Sequence, residues 1–399
     1  MTDINCDHAG GSPEGLTQKV TTVMAIAAGL AGANVYAAQP LLNLIGKSFA
    51  MRSADLGLAV TLTQAGYACG LILLVPLGDL LDRRRIIIGQ SGLSAAALVA
   101  AALAPKLGLL LLALALVGML AVTVQTLVAY ASALALPGLR GAAVGKVTGG
   151  VVVGILGARV VSGSLGDLLG WRAVYLVSAA ASGAVALGLS RMLPVERRRA
   201  SSMSYGEIVI SVPRLFASDP VLRLRAAFAF VVFAAFSIFW TALVLPLTDP
   251  RAGLSHGQVG LFGMVGIAGA LGARGAGRMT DRGHARFVTG GAMLLLCLSW
   301  LPISLLDHSL WWLAVGIILL DLAVQAVHVT NQTIIVGRHA DAAGRVIAGY
   351  MVFYSCGSGI GGATATLMYS AWGWSGVCAM GGAVSIAGLL LWLMQLRGA

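Results

Sequence analysis

Twelve stretches of apolar residues, each long enough to cross a bilayer and each closed by charge, Pro or Gly, leave this chain few folds to choose from. They run approximately from 20 to 46, 55 to 79, 86 to 104, 107 to 136, 143 to 167, 173 to 194, 223 to 248, 257 to 277, 286 to 305, 310 to 336, 345 to 370 and 375 to 396. The Ala/Leu-rich run from 86 to 136 divides at Pro105 and Lys106. A helical span needs about 20 apolar residues. In hydrocarbon the backbone can satisfy its own N–H and C=O groups only as helix or closed barrel, and runs of this length read as helices. The expected class is therefore an all-α polytopic membrane protein with 12 transmembrane helices. Composition agrees: 10% of residues are charged and mean hydropathy is +0.90, whereas soluble domains carry about a quarter charged residues. A soluble enzyme, a disulfide scaffold, a collagen and a disordered chain are excluded.

The charges report orientation. With the N-terminus in the cytoplasm, 20 of the 26 Lys and Arg fall on the cytoplasmic side, five fall outside and Arg159 alone lies within a span. That bias places both termini in the cytoplasm of a multi-pass protein expected in the cell inner membrane. The net charge of +11 then reflects topology and attraction to anionic lipid, and no nucleic-acid partner is expected. No secretory signal appears, and residues 1–19 read as a cytoplasmic tail.

The longest polar segment lies between the sixth and seventh spans and carries Glu196, Arg197 to Arg199, a Ser cluster and Glu207. It divides the chain into an N-terminal bundle (20–194), a cytoplasmic linker (195–222), which has room for one short surface helix, and a C-terminal bundle (223–399). The two bundles echo each other at an offset of roughly 200 residues, as in transporters built from parallel repeats. Gly78 to Asp82 and Arg83 match Gly277 to Asp281 and Arg282, Gln125 matches Gln325, and Gly170-Trp171 matches Gly373-Trp374.

These motifs resemble the major facilitator superfamily over nearly the whole chain. Its loop between spans two and three follows Gly-x-Leu-x-Asp-Arg-x-Gly-Arg-Arg, and here Gly78-Asp79-Leu80-Leu81-Asp82-Arg83-Arg84-Arg85 stands in that place. The second Gly is missing, so this turn must be made differently; the later copy, Gly277-Arg278-Met279-Thr280-Asp281-Arg282-Gly283, keeps a Gly. Ala33-Asn34-Val35-Tyr36-Ala37-Ala38-Gln39-Pro40-Leu41-Leu42, followed by Thr61-Leu62-Thr63-Gln64, resembles a bacterial branch of effluxers similar to drug/proton antiporters. The resemblance implies two pseudo-symmetric six-helix bundles, transport by alternating access, and a conformational latch formed by Gly78, Asp82, Arg83, Gly277, Asp281 and Arg282. Physically, Asp82 stands where span three begins and suits a helix N-cap. Glycines 149, 150, 154, 157 and 163 in span five, and 357, 359, 361 and 362 in span eleven, recur at spacings that allow close helix approach. Ala158-Arg159 follows Gly157 where family antiporters carry Gly-Pro.

Charge within hydrocarbon is expensive, about 2.5 to 3.5 kcal/mol at a helix centre on insertion scales, so intramembrane polar residues call for a function. Asp321 is the one acid deep in a span, and Gln325, His328 and Gln332 follow it at steps that keep all four on one face of span ten, with Asn331 beside them. Lipid cannot accept that stripe, so it faces protein or a wet cavity. Arg159 in span five is the lone buried cation, and Asp321 is the only carboxylate at its depth. Two readings stay open: Asp321 carries a proton while Arg159 biases its ionisation, with His328 as a relay, or the two form a static pair that fixes helix packing. Further cavity positions are Asn34, Tyr36 and Gln39 in span one, Gln64 and Tyr67 in span two, Gln125 in span four, Phe236, Phe239 and Trp240 in span seven, and Tyr350 and Tyr354 in span eleven. Aromatics with a few amides suit amphiphilic or apolar solutes. Trp311 and Trp312 read as interface anchors.

The expected function is proton-coupled export of small organic molecules by a monomer whose partners are a small-molecule substrate, protons and membrane lipid. The alternative is a proton symporter importing a sugar or organic anion, with Arg159 as substrate ligand. No cofactor or metal is expected: no phosphate-binding loop appears and the cysteines lack metal-site spacing. An enzyme is not expected either, because no second deep carboxylate, H-E-x-x-H or Ser/His constellation is present.

Overall fold

The computed structural model describes residues 17–194, 203–339 and 342–397. The expected N-terminal tail up to residue 16 and the charged part of the linker, residues 195–202, lie outside them. Span one is Gln18–Tyr36, continued through a turn at Gln39–Leu41 into Leu42–Ser48; Pro40 lacks the N–H that a continuous helix would need there. Span two is Leu58–Leu73 with Leu77–Leu80, and span three is Arg83–Ala102. Span four comprises Leu107–Leu120 and Thr123–Leu134, a break the unbroken apolar sequence does not announce. Spans five and six are Arg140–Leu169 and Trp171–Met192. The linker holds one helix, Tyr205–Ser218, opened by a reciprocal Ser204/Glu207 capping box. Span seven is Pro220–Ala242 with Val244–Leu247, span eight His256–Gly272 with Arg274–Met279, span nine Ala285–Ser304 and span ten Leu310–Arg338. Non-helical backbone at Trp372 and Gly373 divides the final stretch, Ala343–Arg397, into spans eleven and twelve.

The helix starts follow from local chemistry. Asp82 accepts from the Arg84 N–H at the head of span three, Asp219 caps span seven with Pro220 in its first turn, and Ser309 caps span ten. The first copy of the repeated loop makes its turn with extended Leu81 and the Asp82 cap, while the second uses Gly283 at φ 87°. Gly170 and Gly373, equivalent in the repeat, both have positive φ (81° and 61°) and turn the chain between spans five and six and between eleven and twelve.

Packing repeats with the sequence. Span one packs on span five as seven does on eleven, two on four as eight on ten, and three on six as nine on twelve. The halves meet mainly where span five faces span eight and span two faces span eleven. Glycine permits these approaches: a Cβ at Gly150 or Gly154 would strike the backbone of span one at Ala25 or Gly29, and one at Gly357 or Gly361 would strike span seven at Phe230 or Ala234. Gly149 and Gly157 differ, because a Cβ there meets nothing within 4 Å. Trp311 is 83% exposed at the head of span ten.

Six spans per half put both termini and the linker on one face, here called the terminal face; the other is the far face. Cross-half hydrogen bonds lie at mid-depth and toward the far face. There Asn43 donates to Thr248 (2.5 Å), Thr61 donates to the Gly359 carbonyl (2.8 Å), and Thr366 accepts from the Gly57 N–H (3.1 Å). Asp167, near the far end of span five, accepts from the first backbone N–H groups of span eight, His256 (3.2 Å) and Gly257 (2.8 Å), and its Oδ1 lies 2.6 Å from His256 Nδ1. Toward the terminal face, Tyr205 of the linker helix donates to the Leu73 carbonyl (2.9 Å).

Candidate functional site

Arg159 and Asp321, at similar depth on the far side of the middle, are 2% and 3% exposed. They do not form the direct pair that their isolation in the sequence suggests. Trp240 of span seven stands between them: its indole Nε1–H donates to Asp321 Oδ1 (3.2 Å), and the Arg159 guanidinium carbon lies 3.9 Å from the indole centroid. The aromatic face offers the cation quadrupolar attraction while its edge donates to the acid, so one side chain serves both charges. Phe236 and Tyr36 complete the aromatic wall, 5.5 and 5.6 Å from the guanidinium. Arg159 Nη2 donates to Gln39 Oε1 (3.2 Å), and Gln39 Nε2 reaches Thr241 across the halves (3.5 Å). Arg159 Nε and Nη1 and Asp321 Oδ2 are buried with no hydrogen-bond partner.

Span eight makes room for this centre. Its glycines recur every third residue from Gly257 to Gly272. A Cβ at Gly260 would strike the Arg159 backbone, one at Gly266 would strike Asp321 Oδ2, and one at Gly263 would lie 3.3 Å from Arg159 Cβ. This stripe was absent from the sequence-derived site, although its period was the signal that could have found it.

Toward the terminal face the wall continues through Tyr36, whose hydroxyl bonds that of Tyr354 across the halves. Gln125 donates to the Tyr67 hydroxyl (3.1 Å), and Gln64 accepts from Ser355 (3.0 Å) where span two meets span eleven. Phe233 stacks edge-on against His328 (5.2 Å) and packs on Tyr354 (3.8 Å). His328 lies two turns from Asp321, about 10 Å along the axis, in a separate cluster. Its Nδ1 contacts the Tyr350 hydroxyl (3.1 Å) and its Nε2 contacts Gln332 (3.2 Å). Asn331 donates to the Arg225 carbonyl (3.2 Å), and Arg225 reaches Asn331 Oδ1 (3.4 Å) and Thr289 (3.2 Å). Arg225, grouped by sequence with the loop charges, is thus inside span seven and 5% exposed. Gln325 is half-buried between the two clusters. Asn34 turns away from the centre, donating to Ser182 of span six (3.3 Å), because its place on span one faces the interior of its own half.

In the repeated loop, Arg83 Nε donates to the Gly78 carbonyl (3.1 Å), Arg83 Nη2 lies 3.5 Å from Asp79, and Arg85 lies 3.6 Å from Asp82. Asp281 makes no hydrogen bond or ion pair among the described residues. At the head of span seven, Asp219 Oδ2 accepts from Arg338 (3.2 Å) and contacts His339 Nε2 (2.9 Å). Burial works against the Asp219 charge, but hydrogen bonds from His339, the Val221 N–H and Arg338 outweigh it and hold the carboxyl below its usual range.

The sequence matches the Major Facilitator Superfamily over residues 24–348 and again over 226–398. It is 42% identical, over 94% of this chain and 95% of the relative, to the uncharacterized transporter YgaY of Escherichia coli O157:H7. It is 31% identical, over 96% of this chain and 89% of the relative, to the probable transporter SCO4007 of Streptomyces coelicolor. Among solved structures it is similar to a bacterial homologue of the human lysosomal transporter Spinster in an inward-facing, occupied conformation (TM-score 0.74, 17% identity, 96% of each chain). It is also similar to the human organic anion transporter MFSD10 (TM-score 0.70, 18% identity, 94% of this chain and 99% of that one). At such identities these structures speak to fold.

Proposed function

The chain belongs to the Major Facilitator Superfamily and is a transporter, and from that premise we propose that it is a proton-coupled exporter of small organic molecules, working by alternating access between its two halves. One observation carries this reading: a deeply buried acid and a deeply buried base contributed by opposite halves, each with unmet polar atoms, separated by a single indole. Arg159 belongs to the first half, whereas Trp240 and Asp321 belong to the second. Relative motion of the halves therefore moves the guanidinium with respect to the carboxyl. Close to the cation the carboxylate is favoured; away from it, burial favours the neutral acid. A proton is thereby loaded in one conformation and released in the other. Tyr36, Phe236, Trp240 and Tyr354 supply an apolar wall for the substrate, with Gln39, Gln64, Tyr67 and Gln125 as polar contacts. His328, Gln332, Tyr350, Gln325 and Asn331 line the route toward the terminal face, and His328 acts there as a wall residue. The proposed latch, Gly78, Asp82, Arg83 and Gly277, Asp281, Arg282, trades contacts as the halves rock.

The Lys and Arg bias supports an inner-membrane protein with its terminal face in the cytoplasm. The conformation described, joined at the far face, is then closed outward. A second reading, import of an organic anion, draws on Arg159 Nε and Nη1, two unmet donors suited to a carboxylate. Cells expressing the protein decide between them. Export predicts lower accumulation of a fluorescent substrate that collapses with a protonophore, whereas accumulation rising with expression would replace it with the importer.

A further inference from the structure

We propose that the lipid-facing groove between spans one, five and six binds a single-chain amphiphile that carries a neutral hydrogen-bond donor, of the class of a long-chain alcohol. The groove arises from a difference among the glycines of span five. Gly150 and Gly154 bring the helix against span one, while Gly149 and Gly157, on the adjacent face, leave open space. The result is a depression of about 520 Å³. Its rim is apolar: Ile26, Val153, Val161 and Val177 are 55, 67, 54 and 47% exposed. At this depth the surrounding medium is hydrocarbon.

The floor is not apolar. Asn34 lines it and is 3% exposed; its Nδ2 donates to Ser182, but its Oδ1 has no partner. A buried acceptor left unmet is costly, and a plain hydrocarbon tail cannot meet it. A hydroxyl can. No charged side chain lines the groove, so neither an anionic nor a cationic head is matched, and a neutral donor is.

Length fits the same occupant. Ser162, beside Asn34 in the groove, is seven residues from the far end of span five, about 10 Å below it, and Gly149 lies 13 residues further on, about 20 Å along the axis. That distance is about two thirds of a hydrocarbon core of ~30 Å. The head would sit just inside the far boundary and the tail would run past Gly157 and Gly149. Arg159 points to the other side of span five, so this site is separate from the central one. On the opposite side of Asn34 lies a void of about 20 Å³ bordered by Ser91, Ser94 and Thr123, room for about one water.

The test uses the purified full-length protein in phosphatidylcholine nanodiscs, with hexadecanol bearing a mid-chain diazirine and, in parallel, the corresponding diazirine-bearing hexadecane. After irradiation, labelled peptides should concentrate on residues 149–165 and 174–181, be displaced by excess hexadecanol, and be at least five-fold weaker with the alkane. Gly157→Leu, or Gly149→Leu should the first variant fold poorly, should cut labelling at least five-fold with the melting temperature retained. Asn34→Ala should keep tail labelling but lose the preference for alcohol over alkane. Labelling spread evenly over the lipid-facing helices, or undiminished in both glycine variants, would overturn the site. Equal labelling by alcohol and alkane in the unmodified protein would overturn the donor assignment, leaving Asn34 served by a water alone.

Discussion

Asp321→Asn separates proton coupling from structure more cleanly than other changes at the centre. Asp321 makes one hydrogen bond, from Trp240 to Oδ1, and its Oδ2 has no partner. Asparagine keeps the Oδ1 acceptor and differs by about one proton in volume, so folding should change by less than about 1 kcal/mol, within the range for near-isosteric substitutions. What is lost is a titrating group. With 100 mV across the membrane and a difference of one pH unit, one proton supplies about 2.3 and 1.4 kcal/mol, together about 3.7 kcal/mol. At about 1.36 kcal/mol per tenfold, that sustains a substrate gradient of roughly 500-fold. In proteoliposomes with imposed pH and potassium-diffusion gradients, the unmodified protein should build a gradient approaching this limit. Asp321→Asn should equilibrate the substrate to a ratio near one while still exchanging labelled for unlabelled substrate. A variant that melts normally and still drives accumulation would refute the assignment of the proton to Asp321.

Trp240→Phe keeps a ring over Arg159 but removes the donor to Asp321; the loss of about 1.5 to 3 kcal/mol for a hydrogen bond to a charged group should lower kcat/KM for driven transport by about 10- to 100-fold, measured as initial rates in proteoliposomes. Asp167→Ala removes the acceptor that ties span five to the start of span eight. At about 2 kcal/mol for such a cap, the population closed at the far face should fall about 30-fold relative to the open one, read as a longer distance between spin labels at Arg52 and Arg251. For Asp219, whose folded carboxyl is held below its usual range, the stabilisation is present above the ordinary carboxyl range near pH 4 and is lost as pH falls through the lower folded value. Asp219→Asn should therefore melt earlier than the unmodified protein at pH 7, and the two curves should converge below about pH 3.

Several features were legible because they are one-dimensional. The spans follow from apolar length, and the symmetry of the packing follows from repeated motifs such as Gly170-Trp171 and Gly373-Trp374, whose glycines share positive φ. The stripe from Asp321 to Gln332 was legible because helical period places it on one face. The partner of each charge was not. Scarcity of buried charge pointed to an Arg159–Asp321 pair, but nothing in spacing along the chain says that Trp240, on a third helix, stands between them. Asn34 could not be assigned to one side of span one, whose small residues leave it no pronounced polar face, and Arg225 was misplaced because a charge near a helix end reads alike whether it faces water or the next helix.

The amino-acid order alone determined that the chain lies in a membrane as two sets of six helices, because hydropathy and period are local properties which the bilayer reads span by span. The meeting of the halves decided the rest: which glycines carry a neighbouring backbone and which leave a groove, and which polar atoms stay unmet. Those depend on distances between helices remote in sequence, fixed by side-chain shape and close packing.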